Sequence, residues 1–222
     1  RATVALVMVA YDFSSFVSVV SAANSLPGDP LYGVKIVAEK ARVELASKKQ
    51  KPLLRVEFAG RRLKEAVKVT KKQLSGADKR VSKAVKIFKD EMKTVNKELQ
   101  EISTAAVVTG ETLEVASKVD KKIEEYIDLL KKNEKGLSRP AQVELKRAKQ
   151  AALQTSVKTA EVIVQGAGKS AAAKQEAVRT VQNKLTTLEN QIADLVPVLV
   201  STSTPLAVLN PAKEAIKDAK VK

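Results

Sequence analysis

The sequence predicts an all-α protein, an elongated antiparallel bundle of about six helices with an apolar N-terminal segment. Two observations support this prediction. Apolar residues recur every three or four positions through most of the chain, and Gly, Pro and Ser turns separate these stretches into helices of roughly 20–30 residues. No alternating strand pattern of any length appears, apart from the apolar run Leu195 to Val200. Aromatic residues make up only 3 % of the chain, so we expect thin helix-on-helix packing of small side chains.

Residues 2–23 form the only long apolar segment of the chain. Arg1, the apolar run over residues 2–10 and the small residues Val20-Ser21-Ala22 fit a secretory signal. The segment also has about the 20 residues that a membrane-spanning helix needs, although Asp12 at its middle would cost about 2.5–3.5 kcal/mol. A helix buried in an assembly or in the protein's own core is the third alternative. We therefore expect self-assembly or membrane contact through residues 2–23.

The first helix of the body follows a turn cluster, Pro27-Gly28-Asp29-Pro30. Asp29 is suited to cap the helix and Pro30 to its first turn. An apolar stripe, the face that an amphipathic helix packs against its neighbours, then continues to about Ser47: Leu31, Val34, Val37, Ala38, Ala41 and Leu45. A second helix begins at Pro52 and ends at Ser75-Gly76.

The third helix is predicted to begin with Asp78 as its cap and to continue to Ile102. Thr109-Gly110 either breaks or bends it before a further helical stretch that ends at residues 133–136. Three more helices complete the prediction. One extends from Ser138 and Pro140 to Gly166–Gly168 and one from Ser170 to Val196; a short terminal helix begins at Asn210-Pro211 after a loop-like stretch.

The absence of histidine and cysteine excludes many chemistries. Structural zinc sites, cysteine nucleophiles, Ser-His-Asp triads and iron–sulfur clusters all need one or the other. The stretch Gly166 to Ser170 ends like a phosphate-binding loop, but Ile163 stands where that motif needs a glycine. The acidic group Glu124, Glu125 and Asp128 alternates with lysines, as on a solvated helix face. We therefore expect no catalytic residue, no cofactor and no metal.

The formal charge of +15 is concentrated in the first half of the body. Residues 33–100 hold 20 Lys/Arg against 8 Asp/Glu, whereas residues 101–222 hold 19 against 15. Such a region is either a solvated basic face or a contact for nucleic acid, an anionic wall polymer or a membrane surface. The candidate polyanion contacts are Lys48, Lys49, Lys51, Arg55, Arg61, Arg62, Lys64, Lys68, Lys71 and Lys72.

The turn cluster also predicts a structural clasp. We expect Asp29 to accept hydrogen bonds at the helix start, and Leu31 and Tyr32 to fold back against the second helix, with Pro27 and Gly28 shaping the turn. Pro27-Gly28-Asp29-Pro30-Leu31-Tyr32 with Lys35 and Glu39, and later Phe58-Ala59 with Arg62 and Glu65, resembles the bacterial family called domain of unknown function 5667. The resemblance covers roughly residues 23–70. It implies an exported or membrane-tethered helical domain and carries no catalytic residues.

These observations divide the chain into an apolar signal-like or anchoring segment (1–23), a basic helical region (24–136) and a second helical region (137–222). The leading hypothesis is a non-enzymatic, exported or envelope-associated protein with a structural, assembly or interaction role. The alternative is a basic module that binds a polyanion. Nothing in the sequence indicates a small-molecule substrate, and the expected location is extracytoplasmic, secreted or anchored at the cell envelope.

Overall fold

A computed structural model describes residues 22–103, 110–134, 137–166, 174–175 and 177–187. Its helices are α1 (Tyr32–Leu45), α2 (Lys51–Lys71), α3 (Ala77–Ser103), α4 (Gly110–Lys132) and α5 (Arg139–Gly166), and residues 177–187 are also helical. These ranges contain no strand, which confirms the predicted all-α fold. The apolar run over residues 2–20, most of the Gly166–Ser170 stretch and the predicted terminal helix lie outside the described residues.

Most predicted helix boundaries follow from identifiable residues. Pro52 lies in the first turn of α2, and Gly76, with a φ of +66°, turns the chain into α3. Ser138 caps α5 by accepting a hydrogen bond from the Ala141 N–H at 3.3 Å. The prediction that Asp78 caps α3 is wrong, because the helix already begins at Ala77. The Asp78 carboxylate instead accepts a 2.6 Å hydrogen bond from the Ser138 hydroxyl.

Helices α2 and α3 form the central antiparallel hairpin. Their apolar faces bury Leu63 and Ala66 of α2 and Val85, Phe88 and Met92 of α3. An ion pair at the open end of the hairpin shows that the two helices are antiparallel. Arg55, near the start of α2, lies 2.7 Å from Glu98, near the end of α3. The removal of these side chains from water is the main stabilising term of the hairpin.

Helix α4 packs closely on α2 at a glycine. Tyr126 of α4 donates a 3.0 Å hydrogen bond to the backbone carbonyl of Val56, and its ring meets that of Phe88 edge-on, with centroids 6.4 Å apart. The ring occupies the space where a side chain on Gly60 would lie. Helix α5 runs back along α4, since the buried Asp120 carboxylate accepts a 2.6 Å hydrogen bond from Thr159 and Lys149 lies 3.5 Å from Glu134.

The chain divides into two compact units, residues 1–159 and 160–222. The first contains α1 to α4 and most of α5; in the second, the described residues are helical at 160–166, 174–175 and 177–187. The boundary predicted at residues 136 and 137 falls between α4 and α5. Among the residues that the structure describes, none of the helices has the length and apolar character needed to cross a membrane.

Replacement of Gly60 by alanine tests the close contact between α2 and α4. An ideal Cβ on Gly60 would lie 2.2 Å from the Tyr126 ring and hydroxyl, so the buried ring must move and its hydrogen bond to Val56 is strained. We expect Gly60→Ala to lower the free energy of unfolding by about 1–3 kcal/mol, despite a helix-propensity gain of up to about 1 kcal/mol. Urea unfolding followed by circular dichroism measures the change.

Gly33→Ala is the matched control, because Gly33 is also helical and no described atom lies within 4 Å of its would-be Cβ. There the propensity term acts alone, and stability should rise by up to about 1 kcal/mol. Equal effects of the two substitutions would contradict the packing described for Gly60.

Candidate functional site: the clasp and the outer face of α1

The turn before α1 is tied to the start of α3. Gly28 adopts a φ of +96°, which favours glycine. Asp29 accepts a 2.8 Å hydrogen bond from the Leu26 N–H through one carboxylate oxygen and a 2.8 Å hydrogen bond from Arg80 through the other. Arg80 also donates to the Pro27 carbonyl at 3.0 Å. The Leu26 N–H and the Arg80 guanidinium hold the pKa of Asp29 below its ordinary value.

The predicted clasp forms in part. Asp29 does not cap α1, since Leu31 is the N-cap residue and no side chain in the described structure caps it. The reason is that both carboxylate oxygens of Asp29 are already used by Leu26 and Arg80. Tyr32 does pack against α2, where it is buried and donates a hydrogen bond to Glu65, whereas Leu31 is 36 % exposed.

A buried ionic cluster joins α1 to α2, and Arg62 lies at its centre. The Arg62 side chain is 1 % exposed, and its Nη2 donates to Glu39 at 3.1 Å and to Glu65 at 3.0 Å. Lys35 contacts the same Glu65 oxygen at 2.5 Å, and the Tyr32 hydroxyl donates to its other oxygen at 2.9 Å. Two carboxylates therefore balance two cations within the interface.

Aromatic rings complete the cluster. The Arg62 guanidinium lies 5.4 Å from the centroid of the Tyr32 ring, and the Lys83 ammonium lies at the same distance. Arg42 of α1 and Arg61 of α2 likewise approach the ring of Phe58, at 5.5 and 4.8 Å. Such cation–π contacts favour a cation that is partly removed from water. They fix the side chains that the ion pairs connect.

Burial governs the protonation of this cluster. It raises the pKa of the Tyr32 hydroxyl, with the charge of Glu65 as the next cause. It also raises the pKa of Glu39, although Arg62 and Arg61 oppose the shift. The cavity beside Arg62 and Glu39 has a volume of about 10 Å³, which is room for one water molecule. The arrangement is suited to holding α1 in place rather than to binding an organic substrate.

The cluster reverses the orientation expected for α1. The side of α1 that packs on α2 carries Tyr32, Lys35, Glu39 and Val43. The predicted apolar stripe instead faces outward, so its assignment to the packed face is wrong. We call its helical members the outer stripe: Val34, Val37, Ala38, Ala41 and Leu45. The physical reason is that Arg62, once buried, needs the carboxylate of Glu39, and this contact sets the rotation of the helix.

The structure divides the predicted polyanion contacts into two groups. Five of the ten form ion pairs within the body: Lys49 with Glu111, Lys51 with Glu44, Arg55 with Glu91 and Glu98, Arg61 with Glu57 and Glu39, and Arg62 as described above. The other five are exposed: Lys48, Lys64, Lys68, Lys71 and Lys72. A polyanion contact by these lysines stays a prediction.

One larger concavity lies elsewhere in the first unit. It is an open groove of about 630 Å³ between the α2–α3 turn and the start of α5, lined by Leu74, Asp78, Leu137 and Ala141 among others. Asp78 is engaged with Ser138 there. Within the described ranges, no three acidic side chains lie close enough together to hold a metal ion.

The geometry defines a class of protein: an all-α bundle whose first helix is held against the second by buried ion pairs. The chain from residue 24 to residue 195 matches the model of the family described as Domain of unknown function (DUF5667), and the chain belongs to that family. The match extends well beyond the residues on which the resemblance was based. No curated protein and no solved structure matches the chain.

The residues that carried the family resemblance are the ones that build the cluster. Lys35, Glu39, Arg62 and Glu65 are its charged members. Arg80, which anchors Asp29 and Pro27, was counted only as one of many basic residues. Its position in the first turn of α3, beside the short α2–α3 connection, is the signal that could have separated it from the exposed lysines.

Replacement of Arg62 by methionine tests the cluster. The change leaves the buried Glu39 and Glu65 with less charge compensation, and the loss of one partner from a buried ion pair costs about 3–5 kcal/mol. Lys118→Ala is the control, since Lys118 pairs with Glu114 at an exposed position and should contribute less than about 1 kcal/mol. Chemical unfolding measures both. A neutral Arg62→Met would contradict the proposed role of the cluster.

The Tyr32 hydroxyl gives the cluster a measurable pH dependence. Its pKa in the folded protein is raised above the ordinary value of 10, so its contribution is fully present below pH 10 and is lost as the pH rises further. At neutral pH, Tyr32→Phe should lower the free energy of unfolding by about 1.5–3 kcal/mol, because the lost hydrogen bond goes to a carboxylate. Above pH 10 the difference should shrink by up to about 1.4 kcal/mol per pH unit. A difference that stays constant with pH would disprove this assignment.

Proposed function

We propose that the chain is a non-enzymatic, extracytoplasmic helical protein that acts at the bacterial cell envelope through structural or interaction contacts. The observation that carries the proposal is the orientation of α1. Its Lys35 and Glu39 side chains are held against α2 by ion pairs, and its Val34, Val37 and Leu45 side chains are exposed. A helix that is buried through its polar face and exposed through its apolar face is suited to contact another surface.

The contacts of the perturbed ionisable groups support a role without catalysis. Strongly shifted pKa values often mark active sites. Here the raised pKa of Tyr32 accompanies a hydrogen bond to Glu65, and the raised pKa of Tyr126 accompanies one to the Val56 carbonyl. Both hydroxyls therefore serve contacts between helices. The absence of histidine and cysteine from the sequence points in the same direction.

The location at the envelope is supported by the apolar segment and by the family resemblance. Residues 2–23 have the length and composition of a signal or an anchor. They directly precede the turn that leads into α1, so whatever holds this segment also brings α1 close to the same surface.

Cell fractionation tests this function. In the bacterium that encodes it, the full chain should be recovered with the envelope or outside the cell. Val4→Asp combined with Leu6→Asp should retain the protein in the cytosol, because the two charges interrupt the apolar run. The control carries the same substitutions at Val143 and Val157, which are exposed on α5, and should fractionate like the wild type. A wild-type chain found only in the cytosol would refute the proposal.

A second candidate function is the binding of a polyanion, and the distribution of ion pairs favours it. The acidic residues of α1 and α2 are taken up by internal pairs. Lys64, Lys68 and Lys71 lie at three- and four-residue spacing on the exposed side of α2, and they form no ion pair within the described part of the chain.

Binding to DNA or to a teichoic-type polymer should weaken steeply with salt. The triple variant Lys64→Ala/Lys68→Ala/Lys71→Ala should reduce the slope of log affinity against log salt concentration. Absent or salt-independent binding would exclude this function.

A further inference from the structure

The outer stripe is the largest exposed apolar feature of α1. Val34 is 52 % exposed, Val37 68 % and Leu45 88 %. With Ala38 and Ala41 they occupy the side of the helix opposite Tyr32, Glu39 and Val43, as the 100° step of an α-helix requires. The stripe runs along nearly all of the 14-residue helix, which is about 20 Å long.

The rotation of α1 about its own axis is fixed by ion pairs on the side of the helix that packs on α2. A turn of about half a revolution would bury the stripe against α2, but it would remove Glu39 from Arg62 and Lys35 from Glu65. The helix therefore exposes apolar area because its polar side is held. An apolar strip maintained at the surface in this way marks a contact surface.

The charges near the stripe that no described ion pair neutralises are positive. The two acidic residues of α1 are paired within the protein, Glu39 with Arg61 and Arg62 and Glu44 with Lys51 and Arg55. Lys40, within the helix, and Lys48, just beyond it, are exposed and form no ion pair with any described residue. The surroundings of the stripe are thus complementary to an anionic surface.

We infer that the outer stripe lies on the surface of a membrane that contains anionic lipids, with α1 parallel to the bilayer plane. Val34, Val37 and Leu45 enter the boundary between head groups and acyl chains, and Lys40 and Lys48 contact the head-group phosphates. The inference rests on the proposed envelope location. It adds a lipid-binding surface that is distinct from the apolar N-terminal segment.

The position of α1 in the chain favours a lipid surface. The described structure begins at Ala22, ten residues before Tyr32, and residues 2–20 precede it as the most apolar run of the sequence. A single acyl chain gives only marginal membrane binding, and stable attachment of a peripheral protein takes two signals. The outer stripe with its lysines supplies a second signal directly beside the first.

A second copy of the chain fits the stripe less well. A stable protein interface involves about 20–30 residues on each side, whereas the outer stripe has five apolar side chains on a 14-residue helix. Two such stripes facing each other would bury only a small part of that area. A bilayer needs no matching partner surface and accepts the stripe as it is.

Fluorescence from a single labelled cysteine tests the inference in the full chain. The sequence has no cysteine, so Val37→Cys can be labelled with an environment-sensitive dye at that position alone. On equimolar phosphatidylglycerol–phosphatidylcholine vesicles we expect a blue shift and a rise in intensity. The same dye at Val157→Cys, 56 % exposed on α5, should change little. Vesicles of phosphatidylcholine alone should produce a clearly smaller response at Val37.

Vesicle flotation of charge-matched variants provides the second measurement. Val34→Glu/Val37→Glu/Leu45→Glu should weaken binding to the anionic vesicles at least about tenfold. Val143→Glu/Val157→Glu/Val164→Glu adds the same charge at other exposed positions of α5 and should reduce binding much less. Circular dichroism before flotation verifies that both variants retain their helices.

The outcomes separate the lipid inference from the proposed function. If the chain floats with the vesicles but the Val37 dye does not respond, the inference is overturned and the envelope location stands. Equal weakening by the two triple variants, or an equal response of the Val37 dye on neutral vesicles, also overturns it. A chain that self-associates through the stripe, with loss of the oligomer in the stripe variant and no response to lipid, would replace the bilayer by a second copy.

Discussion

The burial of Arg62 is the constraint on which the arrangement of the first two helices depends. A guanidinium that is 1 % exposed is tolerated only where carboxylates offset the loss of its hydration. Glu65 lies one turn further along α2, and Glu39 must come from α1. Lys35 and Tyr32 then complete the coordination of Glu65. Each of these contacts fixes the rotation and position of α1, so the orientation of a whole helix follows from one buried charge.

The helices were predictable because local signals mark them. Pro52, Gly76 and Ser138 lie at or next to the predicted boundaries, and the apolar periodicity of α3 and α4 corresponds to their buried faces. The rotation of α1 was not predictable from periodicity, since the pattern counts Val34 and Val37 as core and Glu39 as surface. Only the three-dimensional position of Arg62 reverses this assignment. Glu39, Arg62 and Glu65 are among the residues that carry the family resemblance. Only the structure shows that they meet in the interface between α1 and α2.

The basic region likewise contains two groups of residues that only the structure separates. Arginines 55, 61 and 62 serve internal ion pairs, whereas lysines 64, 68 and 71 remain outside. The planar guanidinium binds two carboxylates with fixed geometry, and the flexible ammonium is more strongly hydrated. The sequence count of positive charge thus combined two populations with different roles.

The orientation of α1 is the central claim, and the reactivity of single cysteines tests it most directly. Because the native chain has no cysteine, Val37→Cys and Val43→Cys report on opposite sides of one helix. Val37 is 68 % exposed and Val43 2 %. Under native conditions a maleimide reagent should modify Val37→Cys at close to the rate of the unfolded chain, and Val43→Cys should be strongly protected. Protection of Val37→Cys together with rapid modification of Val43→Cys would contradict the account.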